Sequence, residues 1–319
     1  MTRLSLAALC ILAALGPAHA QTYPDRPIKL VVPFPAGGPT DTSARLVAQG
    51  LSLKIGQPVV IENNGGAGGA IAAKQVAVAA PDGYTLMMVA AAHTFGTQPL
   101  LTKLGFDPVK TFAPVAMAVA DRQVLVINPS VPAQTLDEFV RYAKANPGKL
   151  NYGTAIAIAP HFLSELFRIK AGLDIVHVPY RGSAPAIADL IAGQLQMSMS
   201  GKSVLLPHIQ AGKARAIAVT SEARWPELPD VPSLYKAGYL DFPYDTLFGV
   251  VVPMGVPDAV IRKLNAAIND GINSPEIRAS LARLGIDPAT GTPEEFAAVI
   301  AETAPRWAEI VRVTGIKGE

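Results

Sequence analysis

The sequence predicts an α/β protein: mainly parallel sheets with helices on both faces, folded as two lobes around a cleft. Three observations predict it. Short apolar runs alternate with helical stretches along most of the chain, as they do where parallel strands are buried between helices. Three helices close the chain after its last strand, with no strand of their own, as in a chain that leaves one lobe, builds a second and returns. Apolar residues make up 50% of the 319 residues and charged ones 16%. That supplies a sizeable core, and cores near this chain length tend to divide.

The elements follow in order. Residues 1–20 carry Arg3, an apolar run from Leu4 to Leu15, a Gly16-Pro17 break and the small residues Ala18 and Ala20 flanking His19. This is the pattern of an export signal peptide cleaved after Ala20, which points to the periplasm, and the run is too short for a membrane anchor. Cys10, the only cysteine, leaves with it, so the working chain has no disulfide and no thiol nucleophile. Strands are predicted over 28–33, 58–62, 84–89, 113–119, 124–127, 150–153, 175–178, 195–198, 214–220 and 249–252. Each is short, apolar and flanked by turn formers. Helices are predicted over 42–53, 70–80, 136–145, 161–171, 185–193, 258–269, 275–284 and 293–313. Thr135 with Glu138, and Thr292 with Glu295 behind Pro293, read as capping boxes. The Pro-rich stretch 225–243 is the nearest thing to a linker.

The formal charge is +2 with no block of like charges, which argues against a nucleic-acid surface but leaves room for a small anion held by backbone amides. Several enzyme signatures fail. Gly201-Lys202-Ser203 resembles the end of a phosphate-binding loop, but Gln196 stands where its first glycine belongs. The cluster Gly65-Gly66-Ala67-Gly68-Gly69 has Ile71 where a dinucleotide fingerprint needs its third glycine. No nucleophile elbow is present, and His93, His161, His177 and His208 show no metal-ligand spacing. His177, between Val176 and Val178, reads as a structural strand histidine, and His208 as a surface or helix-start residue. His93 and His161 follow strand ends and are the better site candidates. The reading is therefore no catalytic residue, no metal and no cofactor.

One geometry recurs: a strand end, a glycine-bearing loop and a helix start, the place where open α/β sheets hold ligands. Phe34, Ala36, Gly37, Gly38, Thr40 and Asp41 form the first such loop, with Thr40 or Asp41 expected to cap the helix. Thr154, Ala155, Ile156 and His161 form a second, and Gly182 with Ser183 a third. Facing one another, these loops would make a pincer for a carboxylate.

The chain also resembles a known family. The resemblance rests on Tyr23-Pro24 and Pro27-Ile28 leading into Val31-Val32-Pro33-Phe34-Pro35-Ala36-Gly37-Gly38. It continues in Gly56-Gln57-Pro58-Val59-Val60 with Glu62-Asn63 and Gly66-Ala67-Gly68-Gly69, in Pro81-Asp82-Gly83-Tyr84-Thr85-Leu86, and in Asn146-Pro147-Gly148-Lys149-Leu150-Asn151-Tyr152. Val176-His177-Val178-Pro179-Tyr180 with Gly182-Ser183-Ala184-Pro185, Ala218-Val219-Thr220-Ser221 and Leu228-Pro229-Asp230-Val231-Pro232 extend it. Together these resemble the Bug family of tripartite tricarboxylate transporter substrate-binding receptors. The resemblance implies a type II periplasmic-binding-protein fold, with one lobe over 22–123 plus 248–319 and the other over 124–247. It implies capture of a small organic acid for membrane permease subunits, partly through ordered water, with no catalysis and a monomeric receptor. A ligand-dependent receptor for a sensor protein is the alternative. Carried onto this chain, the ligand-binding set adds Ala91 and His93 from the strand-end segment 90–95, and Ser200 with Lys202 from the second lobe.

Three departures from the family pattern matter. The loop 154–160 is apolar and one residue short where the family is rich in Ser and Gly. Ser200 stands where Asp is common, with Lys202 two residues on. His93 replaces a smaller residue. These features favour a carboxylate with a second acidic group, paired to Lys202, and an apolar or aromatic body.

Overall fold

A computed structural model describes residues 23–97 and 104–317. The predicted export signal and Cys10 lie outside the described residues. The elements are β1 (Ile28–Val32), α1 (Pro39–Ile55), β2 (Val59–Asn63), α2 (Ala70–Ala77), β3 (Thr85–Ala90), α3 (Pro108–Thr111) and β4 (Phe112–Ile127). There follow α4 (Leu136–Ala145), β5 (Leu150–Ala155), α5 (Ala159–Ala171), β6 (Ile175–Tyr180), α6 (Ser183–Ile191), β7 (Met197–Gly201), α7 (Lys202–Gln210) and β8 (Arg215–Val219). The chain closes with β9 (Asp245–Pro253), α8 (Asp258–Ile272), α9 (Pro275–Leu284), β10 (Asp287–Pro288) and α10 (Pro293–Thr314).

The strands run β2-β1-β3-β9-β4-β7-β5-β6, with β8 and β10 also pairing β4. The α/β expectation holds, but the sheet is more mixed than a mainly parallel one. β1 is parallel to β2 and β3, and β5 to β6 and β7, while β4 and β9 run antiparallel to their neighbours. The two predicted strands 113–119 and 124–127 are one strand of 16 residues. Its first part pairs with β9, from Phe112 opposite Pro253 to Arg122 opposite Asp245. From Gln123 onward it pairs with β7 and β8 instead. β4 thus joins two half-sheets, and Gln123 is the residue at which its partner changes.

Each half has its own core, because each strand presents apolar residues to both faces. Leu30, Val32, Leu51, Val115, Val250 and Ile268 pack in the first. Leu125, Ile127, Phe139, Tyr152, Phe162 and Phe167 pack in the second. A fully buried side chain of this size contributes about 1.5–3 kcal/mol. In the first half, α1 and α8 cross so closely that a methyl on Gly50 would lie 2.9 Å from the Gly271 backbone. Only glycine permits that approach. The Pro-rich stretch 225–243 is no linker: Trp225, Leu234 and Leu240 are buried in the second half. α10 reaches across, setting Trp307 against Phe162, Phe242 and Tyr244.

Beyond the four-residue α3, α7 is the helix that the sequence reading lacks. It contains Pro207 and starts within Gly201-Lys202-Ser203, and both features read as helix-breaking or loop signals.

Candidate functional site

Three helices begin at one cavity. β1 ends at Val32, and the chain turns through Pro33–Gly37 to start α1 behind Gly38. Asp41 does not cap that helix. It folds back under the loop, accepting from Gly37 N (2.9 Å), Arg45 (2.9 and 3.0 Å) and Asn63 Nδ2 (2.9 Å). Burial works against its ionisation, but these donors win and hold its carboxyl below the usual range. Gly37, at φ +84°, is exposed with Ala36 on the outside of the turn. The N-cap of α1 is Gly38, and no side chain caps it.

The second start is α5. Ala157 takes φ +63°, unusual for a residue with a side chain, and its N–H donates to His161 Nδ1 (3.2 Å). His161 therefore shapes the loop from beneath. It stacks on His177 with ring centroids 3.9 Å apart. Burial, with the neighbouring His177 charge, drives its pKa down to about 3. His177 bonds Thr154 Oγ1 at 2.9 Å, so Thr154 is also spoken for. The N-cap of α5 is Ile158, and α6 starts behind Gly182; neither helix has a side-chain cap or an acid in its first turn.

These starts meet. Phe34, Pro35, Gly38, Pro39 and Thr40 from the first half line a cavity of about 50 Å³ with Ala155, Ile158, Ala159, Pro160, Gly182 and Ser183 from the second. Ala90, His93, Gln123, Tyr244, Thr246 and Phe248 complete it. Among the described residues, none of the lining side chains is Lys, Arg, Asp or Glu. The first N–H groups of a helix lack intrahelical partners and carry its positive dipole end. Three such ends on one largely apolar cavity are an arrangement that can hold an anion without a cation.

His93 spans the two halves of the lining. Its Nε2 lies 2.7 Å from Gly68 O, and its Nδ1 3.0 Å from Ala157 O across the cleft. Burial lowers the imidazole pKa, against the pull of both carbonyls. Its ring also packs on Phe34, centroids 5.5 Å apart.

The sequence-predicted set thus divides. Phe34, Gly38, Thr40, His93, Ala155, Gly182 and Ser183 come together around the cavity. Asp41, Thr154 and His161 stand behind it and shape its loops. Ala91 lines a neighbouring hollow near Trp307, and Ile156 lines another beside Gly65–Gly68. Ser200 is buried within β7, opposite Val124. Lys202 is a correction. It is buried outside the cavity lining, with Nζ 2.8 Å from Glu227 Oε1 and 5.1 Å from the centre of the Trp225 ring. Its stem also covers Gly285 at the end of α9. An ion pair between Lys202 and a ligand has no support in this geometry, because Glu227 already holds the ammonium.

Gln123, Tyr244, Thr246 and Phe248 are lining residues that the sequence reading lacks. The available signal is the alternation Tyr244, Thr246, Phe248, which sends one face of β9 and its approach toward the cavity.

Comparison with known proteins agrees with this architecture. The sequence profile described as tripartite tricarboxylate transporter family receptor matches residues 43–316. Protein BugT of Bordetella pertussis is 36% identical over 322 aligned residues, covering 99% of each chain. The solved periplasmic binding protein BugD superposes with a TM-score of 0.88 at 34% identity, covering 93% of this chain and 100% of its own. An R. palustris protein solved with adipate gives a TM-score of 0.88 at 33% identity, covering 92% of this chain and 99% of its own. The chain therefore belongs to the tripartite tricarboxylate transporter receptor family, the Bug family of solute-binding receptors, and shares their two-lobed, type II periplasmic-binding-protein fold.

Proposed function

We propose that this receptor works in the periplasm, captures a small organic carboxylate between its two half-sheets and presents it to membrane permease subunits. The observation that carries the reading is the meeting of three uncapped helix starts, at Gly38, Ile158 and Gly182, on one cavity without a lining cation. A carboxylate there receives backbone N–H donors from both halves, so binding favours their closed arrangement. Phe34, Phe248, Ala90 and Ala155 suit an apolar body. The binding of adipate by the R. palustris relative supports the ligand class. The role is capture rather than catalysis.

The bodies that close are residues 22–123 with 248–319, and residues 124–247. The change of partner along β4 at Gln123 supports that division. Lys202 is not assigned to a second acidic group of the ligand, since Glu227 holds its ammonium.

A thermal-shift screen over organic acids, followed by calorimetry, tests the reading. A ligand that binds only the native state at about 100 times its Kd adds about 2.7 kcal/mol of stability. The expected result is a raised Tm with carboxylates and none with the matching alcohols or amines. Equal shifts from uncharged analogues would overturn it.

A further inference from the structure

Gln123 on β4 and Tyr244 just before β9 line the cavity and carry buried polar atoms that the fold leaves without a hydrogen bond. Gln123 is 2% exposed. Its Nε2 donates to Asp121 O (3.1 Å) and Thr246 Oγ1 (2.9 Å). A backbone carbonyl only accepts, so the nitrogen must be the atom facing Asp121, and the amide orientation is fixed. Oε1 is then a buried acceptor that no protein donor reaches. Tyr244 Oη is buried within reach of the Thr246 side chain, which pulls its pKa down, but the contact falls short of hydrogen-bond geometry. Burial raises its ionisation far above the ordinary phenol range, so it stays a hydroxyl.

Leaving two buried polar atoms unpaired is costly, and such atoms are rare in native folds. Here both belong to residues that line the ligand cavity. One can only accept; the other can donate. We propose that Gln123 and Tyr244 form a second, uncharged subsite that reads a hydroxyl on the bound carboxylate, the hydroxyl donating to Gln123 Oε1 and accepting from Tyr244 Oη. A second carboxylate is a poor occupant, because it brings only acceptor oxygens to Gln123 Oε1. A methyl group is poor too, because it leaves both atoms unpaired. The subsite rests on the carboxylate reading above and adds the chemistry of the ligand's other polar group.

The test is calorimetry on the full receptor with straight-chain C4 to C6 acids, their hydroxy derivatives at each position, and the diacids of the same length. Wild type should bind at least one hydroxy acid about tenfold or more tighter than its unsubstituted parent and its diacid. Tyr244→Phe removes only an oxygen that makes no bond, so its fold is secure. It should cut that hydroxy-to-parent ratio to about threefold or less, and Gln123→Met should do the same. A wild-type ratio near one, a preferred diacid, or a ratio unmoved by Tyr244→Phe overturns the subsite while leaving the carboxylate reading intact. Failure of every acid to bind wild type overturns both.

Discussion

Four helix starts, α1, α5, α6 and α7, lie at strand ends that the sequence marks as ligand loops, yet they are not alike. Those of α1, α5 and α6 open on the cavity with no side-chain cap. That of α7 is plugged: Asp121, from β4, accepts from Ser203 N (3.1 Å) and from Ser203 Oγ. Helix starts away from the cavity can also be closed, by Asp107 at α3, Thr135 at α4 and Thr292 at α10. A missing cap forgoes about 1 kcal/mol. Uncapped starts also occur away from the cavity, at α2, α8 and α9, so it is the meeting of three on one cavity, not a missing cap alone, that leaves donors available to a ligand. Where a buried carboxylate takes them, as at α7, the start is structural, however much its glycine and lysine look like a site.

The sharpest way to break this contrast is to close an open start. Gly38 takes φ −86°, and a side chain there would meet nothing nearer than Pro35 O at 3.9 Å. Gly38→Asp should therefore fold, cap α1 and gain a few tenths of a kcal/mol. It should also lose about 100-fold or more in carboxylate affinity, because its own carboxylate takes the donors and repels the ligand. Gly38→Ala adds bulk without a cap and should lose far less. Equal losses in the two variants would mean that space, not the helix donors, governs binding.

Lys202 tests the plugged start. Lys202→Met keeps the stem over Gly285 but strands Glu227, whose side chain is 36% exposed and can be rehydrated. The expected cost is about 1–3 kcal/mol, below that of breaking a fully buried pair. Ligand affinity should stay within about twofold, since the residue lies outside the cavity lining. Urea denaturation and calorimetry measure the two quantities. A large loss of affinity with little loss of stability would return Lys202 to the site.

The division into open and plugged starts also shows what the sequence could and could not tell. Glycine loops after β1 and β6 were legible, because turn formers between an apolar run and a helix leave a local signal. Which side of a loop a residue takes was not. Asp41 turns away to Arg45 and Asn63, and Ala36 points outward, from within a contiguous motif. Lys202 reads as a site residue from sequence because its partner, Glu227, lies in a distant Pro-rich stretch with no local signal of the pair. Gln123 and Thr246 escaped notice because they sit on extended strands with no loop signal, and only the pairing of β4 with β9 brings them together.

Protonation separates the regions again. Burial lifts the Asp121 carboxyl to about 7, against the pull of its Ser203 bonds. Between about pH 4 and pH 7 the native state therefore holds a proton that the unfolded chain has lost. Its contribution to stability is full below the unfolded pKa and is lost as pH rises through the folded one. The histidines in and behind the cavity wall act oppositely: the pKa values of His93, His161 and His177 are lowered by burial, so their contribution is lost as pH falls. Subtracting the stability of Asp121→Asn from that of wild type at each pH cancels the histidines. The difference should fall with rising pH by at most about 1.4 kcal/mol per unit, then level off above pH 7. Parallel stability curves from pH 5 to 8 would show that Asp121 is ionised throughout.

The smallest effect belongs to a cap remote from the cavity lining. Thr292 and Glu295 form a reciprocal box at the start of α10, with Glu295 N donating to Thr292 Oγ1 (3.1 Å) and Thr292 N to Glu295 Oε2 (2.8 Å). Thr292→Ala removes one bond of the pair on an exposed helix end, at a cost of about 1 kcal/mol. The same helix carries Trp307, fifteen positions on, which packs on Tyr244 in the cavity wall. Only fraying that travelled the length of α10 could reach the ligand. Helix ends fray within the first turn, so affinity should match wild type while the urea midpoint falls. If affinity fell with stability here as well, the loss in Gly38→Asp could no longer be credited to occupied donors, and the contrast between open and closed starts would reduce to general loosening of the fold.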